Sequence, residues 1–157
     1  MHDTGKVIKM TDLIIKYDHG QMLIHLEEFL SCRKIAKVRK LLKLIERSET
    51  PELTEQIQSH IEQKLIGLDS IAKTWATIHV RCKEEVKQTE HELNRWVQLR
   101  SGYKKNSDGY KHYHENVKNS REKLKKAKER MRNSKKEFDD TMRDRAFFEK
   151  LLSEVFS

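Results

Sequence analysis

The feature that most constrains this chain is a long stretch of sequence that lacks helix breakers. From Pro51 to about Arg100, Gly67 is the only glycine and no second proline occurs. Apolar residues recur in this stretch at spacings of three and four, which is typical of a coiled-coil seam. Thr50 is placed to cap the start of such a helix, and proline suits its first position. We therefore predict one long helix from Pro51 to about Arg100.

A second apolar seam with the same spacing runs from Tyr110 to the end of the chain. Residues 101–109, between the two seams, are rich in glycine and small polar residues and are expected to form a loop. If the two helices fold back on each other at this loop, the numbers of facing residues should add up to about 210. With this pairing the apolar positions of the two seams face each other, as Val86 faces Leu124. This pattern predicts an antiparallel coiled-coil hairpin. The predicted seams include Ile71 and Ile78 on the first helix and His114, Arg121, Met131 and Met142 on the second.

The N-terminal third is predicted to cover the open end of this hairpin, where surplus apolar residues need burial. Residues 22–47 fit a helix with a wide apolar stripe, although the stripe slips near Arg33. Residues 6–24 fit either two short strands or a short helix. The predicted fold class is all-α: a long antiparallel coiled-coil hairpin, a third N-terminal helix packed on its open end, and, in one alternative, a short N-terminal β-hairpin. Residues 1–50 would form a head and residues 51–157 the hairpin, with a basic tip at residues 100–114.

Composition and motifs exclude several classes of protein. Charged residues make up 37% of the chain and hydrophobic residues 36%, a balance that favours long solvated helices. No glycine-rich phosphate loop or membrane-length apolar run occurs, and no signal peptide is expected from the first residues. Cys32 and Cys82 make no disulfide framework, so a reducing cytoplasm is the expected setting. His79 and Cys82 have ligand-like spacing, but two ligands do not make a structural zinc site. We expect no metal, no cofactor and no enzymatic activity.

Basic residues are concentrated in the last third of the chain. Residues 104–136 contain thirteen Lys and Arg against four acids, within a net charge of +8. Three of the four tyrosines lie within residues 103–113, among these lysines. Cations interleaved with aromatic rings are typical of nucleic-acid contact, because cations meet phosphates and rings stack on bases. The predicted binding residues are Arg100, Tyr103, Lys104, Lys105, Tyr110, Lys111, Tyr113, Lys118, Lys125, Lys128 and Arg132, together with Lys37 and Lys40 from a second basic run.

These observations lead to one main hypothesis and three alternatives. The main hypothesis is a non-enzymatic protein whose basic arm contacts nucleic acid or a nucleic-acid-binding protein complex. Such an arm is similar in shape to the tRNA-binding helical arm of seryl-tRNA synthetases, although no synthetase motif occurs. The first alternative is an inhibitor or adaptor that binds a nucleic-acid-handling enzyme by helix packing, similar to the anti-CRISPR proteins of phages. The others are an anionic membrane-surface binder that resembles BAR domains, which we rank lower, and a structural coiled coil that forms a homodimer.

Overall fold

A computed structural model of the protein describes residues 26–46 and 52–156, and every regular element within these residues is an α-helix. A helical segment covers residues 26–31. Three helices follow: α1 (Ile35–Glu46), α2 (Leu53–Ser101) and α3 (Asp108–Val155). The long helices α2 and α3 pack against each other, which confirms the predicted all-α hairpin with a shorter N-terminal helix. The alternatives for residues 6–24 and the cap at Thr50 lie outside the described residues.

The predicted continuous helix over residues 22–47 is wrong, because the chain turns at Arg33 before α1 begins. The N–H groups of Arg33 and Lys34 donate to the carbonyl oxygens of Leu30 at 3.1 Å and Phe29 at 2.9 Å. These two bonds form a Schellman C-cap, which satisfies carbonyl groups at a helix end. Arg33 has a φ of 52°, in the left-handed region that usually holds glycine at this position. The slip of the apolar stripe near Arg33 is the sequence signal of this break.

The chain divides into two compact units. Among the described residues, unit 1 consists of 26–46, 52–69 and 143–156, and unit 2 consists of Ser70–Met142. The core of unit 1 forms where the apolar stripe of α1 packs on the first part of α2 and the last part of α3. Its buried members within the described ranges are Leu26, Leu30, Val38, Leu41, Leu42, Ile45, Leu53, Ile57, Ile61, Phe148 and Leu151.

Ion pairs join α1 and the preceding turn to α3 at the surface of unit 1. The Arg33 guanidinium lies 2.6 Å from the Asp144 carboxylate, and the Arg39 guanidinium lies 3.2 Å from that of Glu154. All four side chains are more than 40% exposed, so each pair contributes at most about 1 kcal/mol. The apolar core, rather than these pairs, therefore holds unit 1 together.

Glu27 gives unit 1 a small dependence on pH. Its carboxylate accepts a hydrogen bond from Lys64 at 2.9 Å and lies 2.7 Å from the His60 ring. Burial raises the pKa of Glu27, but the bonds and charges of Lys64 and His60 outweigh it and leave the pKa below its ordinary 4.5. Because the pKa of Glu27 is lower in the folded state than in the unfolded state, its carboxylate stabilises the fold at pH values above the unfolded-state pKa. This stabilisation is lost as the pH falls through the folded-state pKa.

We expect Glu27→Gln to lower the free energy of unfolding at pH 7 by no more than about 1 kcal/mol. The difference between wild type and variant should shrink as the pH falls below 4.5, because the wild-type carboxyl group then becomes neutral too. Urea unfolding at neutral pH and in acid measures both values. A difference that is the same in acid as at pH 7 would contradict this account of Glu27.

In unit 2 the seam between α2 and α3 is in a different register from the predicted one. Ala72 is buried on α2, whereas its neighbour Ile71, predicted for the seam, is 47% exposed. His79 Nδ1 lies 3.0 Å from Ser134 Oγ on α3. A residue-number sum of about 210 would instead place Met131 opposite this histidine. The two helices are therefore shifted by about three residues, nearly one helical turn, from the predicted pairing.

Between Ser120 and Ser134, every seventh residue of α3 along this seam is small. Ser120, Ala127 and Ser134 are 2%, 0% and 2% exposed. Such side chains leave room for the facing helix to approach closely and for larger side chains to fill the space between. The predicted placement of His114, Arg121 and Met142 in the seam is wrong, and their more buried neighbours Tyr113, Ser120 and Thr141 take those positions.

Candidate nucleic-acid interface

One edge of α3 in unit 2 carries a continuous row of basic side chains, here called the basic ridge. The seam takes up heptad positions a and d, and positions b and e of the same heptads form one flank of the helix. Spacings of three and four residues place these side chains in line over a length of about 36 Å. All are exposed except Lys128, which is partly exposed. The ridge consists of Lys111, His114, Lys118, Arg121, Lys125, Lys128, Arg132 and Lys135.

The lysines and arginines of the basic ridge have no carboxylate partner within 4.0 Å in the described ranges, 26–46 and 52–156. On the opposite edge, in contrast, Arg130 of α3 pairs with Glu85 of α2. These two residues occupy g positions of their heptads, so the e positions of both helices share the other side. Seven lysines and arginines of α3 therefore lie along one side of unit 2.

Helix α2 adds to the charge on that same side. Lys73, Lys83 and Lys87 occupy its b and e positions and are exposed. Glu90 is the acidic residue at an e position in this part of α2, and it is exposed as well. The lysines of α2 thus widen the positive surface that the basic ridge of α3 forms.

A loop of residues 102–107 joins α2 to α3, so the observed loop is shorter than the predicted loop of residues 101–109. Ser107 caps α3, because its Oγ accepts a hydrogen bond from the N–H of Tyr110 at 3.2 Å. Asp108 follows at the first helical position, where a negative charge suits the helix dipole. Lys104 and Lys105 are exposed in this loop. The cap fixes where the loop ends and the basic α3 begins.

Aromatic rings pack together beside this loop. The ring centroids of Trp96 and Tyr113 lie 6.0 Å apart, and those of Tyr103 and Tyr113 lie 5.5 Å apart. Trp96 and Tyr113 are half-buried, whereas Tyr103 is 47% exposed. The two half-buried rings therefore contribute packing that holds the hairpin end together, and Tyr103 presents aromatic surface outward.

Arg100 connects a second pair of rings at the same end. Its guanidinium lies 5.7 Å from the centroid of the Tyr110 ring, and its Nη1 donates to His114 Nδ1 at 3.0 Å. The rings of Tyr110 and His114 are stacked at 5.7 Å. Because arginine has no acceptor, the Nδ1 atom of His114 must be unprotonated in this arrangement. Arg100 thus orders the first turn of α3, where the basic ridge starts.

The residues predicted for binding fall into two places. Those of unit 2 lie on the ridge or at the loop end of α2 and α3. Lys37 and Lys40 are exposed on α1 in unit 1. The Lys37 ammonium lies 5.6 Å from the centroid of the Phe29 ring, and the adjacent Lys34 ammonium lowers the pKa of Lys37. In unit 2, Lys104, Lys105, Lys111, Lys118, Lys125, Arg132 and Tyr103 are exposed, and Arg100, Tyr110, Tyr113 and Lys128 are partly buried.

Sequence reasoning missed two cations of the basic ridge. The sequence pattern predicts Arg121 for the seam, and Lys135 is not among the predicted binding residues. Both continue the spacing of Lys118, Lys125 and Lys128 once the seam is read through Ser120. The signal that could have found them is the seven-residue repeat of Ser120, Ala127 and Ser134, which sets the phase of every other position.

The ligand-like pair on α2 contributes to packing in unit 2. His79 bonds to Ser134 across the seam, and Cys82 is buried with 8% of its surface exposed. No group of three or more His, Cys, Asp or Glu side chains among the described residues is arranged to hold a metal ion.

The chain matches no family model, no curated protein and no solved structure. In the described part of the chain, no helix is both long enough and apolar enough to cross a membrane.

Proposed function

We propose that this protein is a non-enzymatic binding protein whose basic ridge contacts the phosphate backbone of nucleic acid. The observation that carries the proposal is the row of seven lysines and arginines on α3 without carboxylate partners in the described ranges. A cation that is not held in an ion pair with a carboxylate is available to contact a phosphate. Phosphate contacts supply most of the affinity of non-specific nucleic-acid binding. A ridge with these properties suits a binding role that requires no catalytic group.

The dimensions of the basic ridge favour a duplex as the ligand. The ridge extends over about 36 Å, which is close to one turn of B-form DNA. The ridge residues belong to one continuous helix, so the spacing of their Cα atoms is fixed before any ligand binds. A duplex is itself a stiff array of phosphates, so neither backbone has to be ordered for the two to align.

The test compares two triple variants that lose the same charge from the same helix. Lys118→Gln, Lys125→Gln and Arg132→Gln remove cations from the ridge. Lys123→Gln, Lys126→Gln and Lys136→Gln remove exposed cations that lie off the ridge. Affinity for a labelled duplex of about 20 base pairs is measured from about 50 to 300 mM salt.

We expect micromolar or tighter binding by the wild type at the lowest salt, with a steep loss of affinity as salt rises. The slope of log affinity against log salt should fall by about three for the ridge variant, one for each phosphate contact removed. The control variant should keep most of the wild-type slope. Equal losses in both variants would argue for attraction by net charge alone, and absent wild-type binding would refute the proposal.

Vesicles of anionic lipid, tested under the same conditions, separate the phosphate backbone from other anionic surfaces. Binding to vesicles that is as tight as binding to duplex, and equally dependent on the ridge, would favour the membrane-surface alternative.

A further inference from the structure

Tyr103 differs from the other aromatic residues because its ring is exposed. It is 47% exposed, whereas every other Phe, Tyr or Trp side chain in residues 26–46 and 52–156 is buried or partly buried. An exposed aromatic ring offers a face on which a planar ligand can stack. It lies in the loop that joins α2 to the start of the basic ridge.

The Tyr103 ring is supported by the start of α3 on one side. A methyl group added to Gly109 would lie 2.4 Å from two carbons of this ring, so the ring rests directly on the glycine backbone. Tyr113 supports the ring from α3 at a centroid distance of 5.5 Å and an interplanar angle of 33°. The exposed ring is therefore preorganised, and a planar ligand could stack on it with little ordering of the side chain.

Cations lie close to Tyr103 in the sequence. Lys104 and Lys105 follow it in the loop and are exposed, and the ridge begins nearby in sequence at Lys111. A ring flanked by cations is the arrangement with which proteins hold a single-stranded base, because the ring stacks on the base while the cations meet its phosphates. A fully paired duplex offers such a ring only its terminal base pair, whereas an unpaired base exposes a whole π-face.

We propose that Tyr103 stacks on an unpaired base next to the duplex that the basic ridge contacts. The preferred ligand is then a duplex with a short single-stranded extension. This inference rests on the proposed function, since the ridge must first bring a duplex to unit 2.

The experiment compares three labelled ligands that share one duplex. The first is blunt, the second carries a three-nucleotide single-stranded extension, and the third carries the same extension without its bases. The third ligand keeps the added phosphates, so it separates stacking from charge. From the usual contribution of base stacking on an aromatic side chain, the full extension should bind about fivefold to a hundredfold tighter than the abasic one.

Three variants test whether the Tyr103 ring causes the preference for the full extension over the abasic one. Tyr103→Ala should abolish this preference, and Tyr103→Phe should keep it because the π-face remains. Gly109→Ala should also weaken it, because the new methyl group displaces the Tyr103 ring. Replacing glycine by alanine within a helix favours the helix, so unfolding would not explain that loss.

The outcomes separate this inference from the proposed function. Binding that depends on the ridge but is equal for the full and abasic extensions would overturn the stacking role and leave the proposed function standing. A preference that survives in Tyr103→Ala would also overturn it, since another group would then hold the base. Absence of binding to all three ligands would overturn both proposals.

Discussion

Replacement of Leu151 by alanine is expected to lower the free energy of unfolding by about 2–5 kcal/mol. Leu151 is 0% exposed and belongs to the core of unit 1, together with buried residues of α1 and α2. The substitution removes apolar surface from the core and leaves a cavity, and both effects destabilise the folded state. Urea or thermal unfolding, followed by circular dichroism at the helix band, measures the change.

Ile66→Ala is the matched control for that substitution. Ile66 also belongs to unit 1 but is 61% exposed, so its loss should change stability by less than about 0.5 kcal/mol. Similar effects of the Leu151 and Ile66 substitutions would show that the packing of unit 1 differs from the one described here.

Ala127→Leu is expected to destabilise unit 2 by about 1–3 kcal/mol. Ala127 is 0% exposed and lies between Ser120 and Ser134 in the row of small residues on α3. A leucine at this position would force the facing side chains of α2 out of their preferred rotamers or push the helices apart. Thermal unfolding of the variant measures the cost.

The same substitution at an exposed alanine of α3 supplies the control. Ala146 is exposed in unit 1, so Ala146→Leu should be nearly neutral, since both residues favour helix. A neutral effect of Ala127→Leu on stability would contradict the close packing of α2 and α3 at this position.

The hairpin could be predicted from sequence because its signal is periodic and long. Spacings of three and four over two stretches, with a polar loop between them, leave few folds open. One error arose because a more hydrophobic residue was preferred to the residue that keeps the seven-residue period. Ile71 was chosen over Ala72, although only the alanine keeps the seven-residue repeat that continues through His79. The register could not be predicted, because it depends on how residues 102–107 turn.

The candidate site was predictable in composition but not in arrangement. Lys104, Lys105 and Tyr103 stood out as cations and an aromatic ring in one loop. The support of that ring by Gly109 is a contact between residues six positions apart, in a turn whose geometry no local pattern specifies. The ridge as one continuous row required the correct helical phase, which depends on recognising Ser120 as a seam residue.

The basic ridge has a consequence for the free protein. Like charges three and four residues apart on a helix repel each other, by about 0.2–0.5 kcal/mol for each neighbouring pair. Glu115, Glu122 and Glu129 lie three and four residues from cations of the ridge and offset part of this repulsion. Added salt screens the repulsion that remains. Under the proposed function, the same salt would also weaken the attraction of the ridge to phosphates.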